Sequence, residues 1–107
     1  MCIRDRPYAK LIYAVRIDSE FNGSWSTWCP YNSSTAVDPA TWIAGYTNLV
    51  TAVRQALPNA KIIWNANIGQ NSPFPYYPGD NLVDIIGIDA YSAAQYYACL
   101  LYTSRCV

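Results

Sequence analysis

Three apolar runs and one helical stripe alternate along the chain. Lys10 to Asp18, KLIYAVRID, is rich in Leu, Ile, Tyr and Val with little polar interruption, the pattern of a strand buried on both faces. Ser19 to Val37 is full of Ser, Asn, Gly and Trp and reads as a long functional loop. Asp38 is a good N-cap and Pro39 suits the first helical turn. After them Trp42, Tyr46, Leu49, Val50, Val53 and Leu57 recur at helical spacing until Pro58 ends the pattern. Lys61 to Ala66, KIIWNA, is a second strand, Gly69 to Asp80 a Pro-rich aromatic loop, and Val83 to Ala90, VDIIGIDA, a third strand. This βα alternation with continuous apolar strands predicts an α/β fold with a parallel sheet covered by helices.

Composition removes several classes of function. The 107 residues are 52% apolar and 15% aromatic but only 13% charged, with seven basic and seven acidic side chains, so the chain is neither disordered nor built to bind nucleic acid. No apolar run reaches the roughly 18 residues of a membrane-spanning helix, and no membrane partner is expected.

The two ends carry a different signal. Met1 to Arg6 reverse-translates as ATG TGT ATA AGA GAC AGN, and Cys99 to Ser104 as TGT CTC TTA TAC ACA TCT, each the reverse complement of the other. They resemble a transposase recognition sequence of sequencing libraries translated into protein, so residues 1–6 and 99–107 are expected to be adapter-derived and residues 7–98 native. Three of the four cysteines, Cys2, Cys99 and Cys106, then fall outside the native stretch, leaving Cys29. With no histidine and one native thiol, neither a metal site nor a Cys/His nucleophile is expected, and no cofactor is called for. The native stretch keeps four basic and six acidic residues.

Polar and aromatic residues gather at the end of each strand: Glu20, Asn22 and Trp25 after the first, Asn65 and Asn67 at the second, Asp89 and Tyr91 at the third. In a β/α barrel such strand ends open on one catalytic face, and a barrel needs about 250 residues, so 92 residues are roughly a third of one. Glu20 is the one glutamate of the sequence and directly follows a buried strand. Its amide, glycine and indole neighbours suit sugar hydroxyls and sugar ring faces. A carboxyl group desolvated against aromatic surface is what a general acid for glycosidic cleavage needs.

The stretch Val15 to Trp28, VRIDSEFNGSWSTW, resembles the acid/base segment of glycoside hydrolase family 26, the β-mannanases and relatives acting on other β-glycans. The family pattern is an arginine, a few residues, His-Glu-Met-Asn-Gly, one residue, an aromatic and a further Trp. WNAN at Trp64 to Asn67 and YYPGDNLVDIIGIDAY at Tyr76 to Tyr91 resemble the segments of its next two strands. The resemblance implies a fragment of a (β/α)8 TIM barrel, approximately strands 4 to 6 with the helix after strand 4, and makes residues 7–98 part of a catalytic domain. It implies a retaining endo-β-glycanase hydrolysing β-1,4-mannan or a related β-glycan, mannan endo-1,4-β-mannosidase-like and secreted or at the cell surface. The alternative is a non-catalytic carbohydrate-binding relative of the same barrel.

By this resemblance Glu20 is the general acid/base. The nucleophilic glutamate belongs to strand 7, absent from this chain, so a retaining pair about 5 to 5.5 Å apart is incomplete and the chain alone is expected to be inactive. Asp18, two residues before Glu20, is expected to share its face and help orient it. Arg16, Asn22, Trp25, Trp28, Trp64, Asn67, Asp89 and Tyr91 are the candidate substrate-binding residues. Trp25 and Trp28 suit stacking on pyranose faces. Trp64 serves the site only if it points into the barrel mouth, and Trp42 falls on the apolar face of the helix and reads as core. Asp89 either contacts substrate or joins a structural network. Tyr91 resembles the family tyrosine that bonds the nucleophile. Ser19 stands where the family has histidine, which bears on mannan as substrate more than on glycosidase as class.

Overall fold

The computed structural model describes residues 9–90; Tyr91 and both stretches read as adapter-derived lie outside them. The elements follow the expected alternation: β1 (Ala14–Ile17), α1 (Pro39–Ala56), β2 (Lys61–Asn67), a 3₁₀ turn (Phe74–Tyr76) and β3 (Ile85–Asp89). The strands form one parallel sheet in the order β1-β2-β3.

The helix obeys its local signals. The Asp38 carboxylate accepts a hydrogen bond from the Thr41 backbone N–H at 3.2 Å and from the Thr41 hydroxyl at 2.5 Å, supplying an acceptor for one of the first-turn donors that have no intrahelical partner. These bonds hold the Asp38 carboxyl below its ordinary value. At the other end Leu57 N–H donates to Val53 at 2.7 Å and Pro58 follows, which cannot continue the ladder. Trp42, Tyr46 and Val50 are buried against the sheet, whereas Leu49, expected on that face, is largely exposed at its margin.

β1 and β3 are shorter than the apolar runs that predict them, whereas β2 runs one residue further, to Asn67. Lys10 and Leu11 belong to a 3₁₀ turn, and Asp18 leaves the extended region with φ 51°, so β1 keeps four residues. The third strand starts at Ile85 because Asp84 ties the chain to β2, its N–H donating to Ile62 O at 2.9 Å and its carboxylate accepting from Ile62 N–H at 2.8 Å.

Register sorts the side chains by face. Ile17 pairs with Trp64 and Trp64 with Ile86, so Ile17, Ile62, Trp64, Ala66, Ile86 and Ile88 point to the α1 side. Arg16, Ile63, Asn65, Asn67, Ile85, Gly87 and Asp89 point to the other. On the α1 side Phe21 is fully buried with ring centroids 4.8 Å from Trp42 and 5.1 Å from Trp64, and Trp42 stacks on Tyr46 at 5.1 Å. Each such side chain contributes roughly 1.5–3 kcal/mol by leaving water. Burial on both faces, expected for Lys10 to Asp18, fails there, since Leu11, Tyr13 and Arg16 are exposed, and the helix cover expected for the sheet stops short of β3. Ile86 and Ile88 are 59% and 58% exposed, because α1 packs over β1 and β2 and nothing among the described residues covers β3.

Candidate active site

The loop leaving β1 is held in a backbone shape that ordinary residues avoid. Asp18 and Glu20 both adopt left-handed conformations, with φ 51° and 57°, each costing of order 1–3 kcal/mol and persisting only where the surroundings hold it. Three ties fix Glu20. Its N–H donates to Asn65, 3.1 Å from both the side-chain and the main-chain oxygen. The next side chain, Phe21, is sunk in the aromatic core. The residue after that, Asn22, clamps the loop to β2.

Asn22 behaves as a piece of extra strand. Its Oδ1 accepts from Asn67 N–H at 2.7 Å and its Nδ2 donates to the carbonyls of Asn67 and Asn71, each at 2.8 Å. Its own carbonyl accepts from Asn71 N–H and Nδ2 at 3.2 and 3.0 Å. The amide thus continues the β1–β2 pairing past the end of β1. Beside this clamp, Asn67 Nδ2 donates to Glu20 Oε1 at 2.8 Å, bringing the carboxyl group over the C-terminal end of β2.

Around Glu20 the expected residues divide. Arg16 reaches diagonally across the sheet to Asp89, with Nη1 3.1 Å from Oδ2 and 3.3 Å from Oδ1, so Asp89 joins a structural ion pair on the face that carries Asn65 and Asn67. Trp25 and Trp28 are 52% and 43% exposed. The Trp25 ring lies against the backbone at Gly23, where an added Cβ would fall inside the indole. Trp28 is tied by Nε1 to Ser19 O at 3.0 Å, and its carbonyl accepts from Trp42 Nε1 at 2.9 Å. Two indoles therefore stand open to solvent on a loop anchored to the core. Trp42 is core, as its helical position indicates.

Three assignments change. Trp64 does not reach the site: it is buried on the α1 side against Phe21 and Tyr77, because strand alternation turns it away from Asn65 and Asn67. Asn22 is 1% exposed with both amide atoms engaged by backbone, so it positions the loop and leaves no group for a sugar. Asp18 does not share the face of Glu20. The two left-handed residues break the alternation, and Asp18 lines a crevice of about 290 Å³ on the α1 side with Trp28, Cys29, Trp42 and Tyr46. Burial there raises the Asp18 carboxyl, and burial together with the Asp18 charge raises the Tyr46 hydroxyl. Tyr91 lies outside the described residues.

The residues that sequence reasoning passed over are Phe21, Asn71 and Gly87, and it places Asn65 at its strand end without giving it a role. Gly87 leaves room for the Asn65 amide, since a Cβ there would stand 3.2 Å from Asn65 Nδ2 and 3.0 Å from Ile63 Cγ2. The signal for Asn65 was the alternation within WNAN, which puts both asparagines on the face opposite Trp64 and Ala66.

Comparison with known proteins bears on this geometry. Residues 10–104 match the profile of glycosyl hydrolase family 26. Over 92 residues, 81% of the chain, the sequence is 34% identical to Endoglucanase H of Acetivibrio thermocellus. The chain spans about a tenth of the length of that relative, 10%.

Proposed function

The chain belongs to glycosyl hydrolase family 26, and from that premise we propose that it carries the acid/base half of the active site of a retaining endo-β-glycanase. The observation that supports this most is Glu20 itself: a glutamate held in a left-handed conformation just beyond the C-terminal end of β1, with its carboxyl group bonded to Asn67. The family's fold implies a (β/α)8 barrel, and we assign β1, β2 and β3 to its strands 4, 5 and 6. In a barrel the C-terminal ends of the strands form the catalytic face.

In this reading protonated Glu20 gives its proton to the glycosidic oxygen as the C–O bond to the leaving sugar breaks. A nucleophilic carboxylate takes the anomeric carbon, and Glu20 then draws a proton from the water that releases the sugar. Glu20 is the one glutamate of these residues, so the reading assigns the nucleophile to a glutamate beyond them. Trp25 offers an apolar face to pyranose rings, whereas Trp28 lines the α1-side crevice with Asp18. We place β-1,4-glucan ahead of mannan as the polysaccharide, because Ser19 replaces the histidine of the family pattern and the relative described above is named an endoglucanase. A polymeric substrate implies an enzyme that works outside the cell.

The test is Glu20→Ala in the full-length protein. Hydrolysis of β-1,4-linked polysaccharide should slow by about 10²- to 10⁴-fold, the usual contribution of a positioned acid/base. Activated aryl glycosides need little protonation, so they should give a burst of aryl product followed by a slow phase that azide accelerates. Near wild-type cleavage of polysaccharide by the variant would end the assignment. A full-length protein that binds β-glucan or mannan and cleaves neither would make this a carbohydrate-binding member of the family.

A further inference from the structure

We infer that Asn67 is a positioning residue for the acid/base, one that selects which oxygen of Glu20 carries the catalytic proton, and not a substrate contact. The inference rests on the reading of Glu20 given above. Asn67 is 6% exposed and three of its four hydrogen-bonding groups are committed to the loop, while the fourth, Oδ1, is buried without a partner among the described residues and out of reach of a sugar. The backbone N–H and C=O are both held by the Asn22 amide at 2.7 and 2.8 Å, and Nδ2 donates to Glu20 Oε1 at 2.8 Å. Asn22 is fixed in turn by Asn71. The Asn67 side chain therefore has its origin pinned at both ends of its own peptide before it meets the carboxyl group.

The amide can face the carboxylate in one sense only. A carboxylate accepts hydrogen bonds, so Nδ2 must point to Oε1, and a rotated amide would set Oδ1 against it. With Oε1 occupied by a donor, Oε2 is the oxygen left to hold and deliver the proton. The remaining charges do not duplicate this control. Arg16 on β1 and Asp89 on β3 are paired with each other, and Asp18, on the same loop as Glu20, is turned to the α1 side near Tyr46. From β2 the described groups above Lys61 are uncharged, and Asn65 accepts from the Glu20 backbone and not from its carboxyl.

Two substitutions in the full-length protein test this. Asn67→Ala removes the donor: kcat on polysaccharide should fall by about 10- to 100-fold, as for a misplaced catalytic group, with KM little changed. The alkaline limb of the pH–rate profile should move to higher pH, because a carboxylate that loses a donor holds its proton more tightly. Asn67→Asp keeps the shape and the backbone groups that Asn22 clamps but sets a second carboxylate against Glu20, and the alkaline limb should move up further. If Asn67→Ala does not fold, the Asn67→Asp profile decides alone. A rise in KM with both limbs in place would make Asn67 a substrate contact and overturn the inference, as would wild-type kinetics. The Glu20→Ala azide experiment reads the acid/base assignment separately: a burst and azide rescue there, with Asn67 profiles unmoved, would remove this inference and leave that assignment standing.

Discussion

Asp18 and Glu20 share a left-handed backbone yet end in opposite surroundings, and the difference is measurable. Glu20 is tied by Asn65 and Asn67, whereas Asp18 is turned into the crevice beside Tyr46, whose buried hydroxyl has no partner among the described residues. Burial raises the Asp18 carboxyl above its ordinary 3.8. The folded state then holds that proton more tightly than the unfolded chain, so the contribution of Asp18 to stability is present below pH 3.8 and is lost as pH rises through the higher folded value. Asp18→Asn, which tolerates the same backbone, should raise the thermal midpoint of the full-length protein at neutral pH. The gain should shrink as the pH falls through the raised folded value towards 3.8 and be gone below it; a gain independent of pH would show that burial of the charge is not its cause. At this scale Glu20 was legible because it is the one glutamate and follows an apolar run. The true facing of Asp18 was not, since counting by twos assumes that the strand continues and two left-handed residues end it.

The elements differ in how local their causes are. Helix α1 begins and ends where the sequence indicates, because Asp38, Thr41, Pro39 and Pro58 act within a few residues of one another. The strands depend on neighbours. The apolar run from Lys10 outlasts β1, and the start of β3 is set by Asp84 bonding to Ile62, a contact between residues 22 apart that no periodicity encodes. Trp64 shows an intermediate case: its facing was written in the alternation WNAN, but became readable only once Asn65 and Asn67 were known to serve Glu20. Two glycines test these accounts with opposite signs. Gly45 lies inside α1, and an added Cβ would meet nothing within 4 Å, so Gly45→Ala should stabilise the protein by about 0.5–1 kcal/mol through helix propensity. Gly87 lies inside β3 with Ile63 Cγ2 3.0 Å from an added Cβ. Gly87→Ala should destabilise by roughly 1–3 kcal/mol as an overpacked site does. It should also lower kcat, because the amide that it crowds accepts from the Glu20 backbone. Chemical denaturation of both variants with one kinetic assay separates them; a neutral Gly87→Ala would contradict the packing described for the Asn65 face.

At the scale of the whole molecule the described sheet is open. β1 and β3 each pair on one side only among the described residues, and apolar side chains line the uncovered surfaces: Leu11 and Tyr13 just before β1, Ile86 and Ile88 on β3, and Phe74 between them in the fold's second loop. The polar strand ends made a shared face legible from the sequence, whereas these residues, which contact one another only within three strands, carry no mark of a position in a larger sheet. Stability of a parallel sheet comes from covering both faces and pairing its edges. Unpaired strand edges beside exposed apolar residues are also templates for association with further chains. The 107-residue chain expressed by itself should therefore show helical and strand circular dichroism without a cooperative thermal transition, bind a hydrophobic dye, and shift to larger species as its concentration rises. Trp42, Trp64 and Phe21 should remain clustered, because their contacts lie between α1 and β1–β2 and need no other strand, so residual tryptophan burial should outlast the absent transition. Calorimetry, dye binding and light scattering over a concentration series decide the matter. A sharp calorimetric transition from a soluble monomer would show that the chain closes its own core and would overturn the account of open edges.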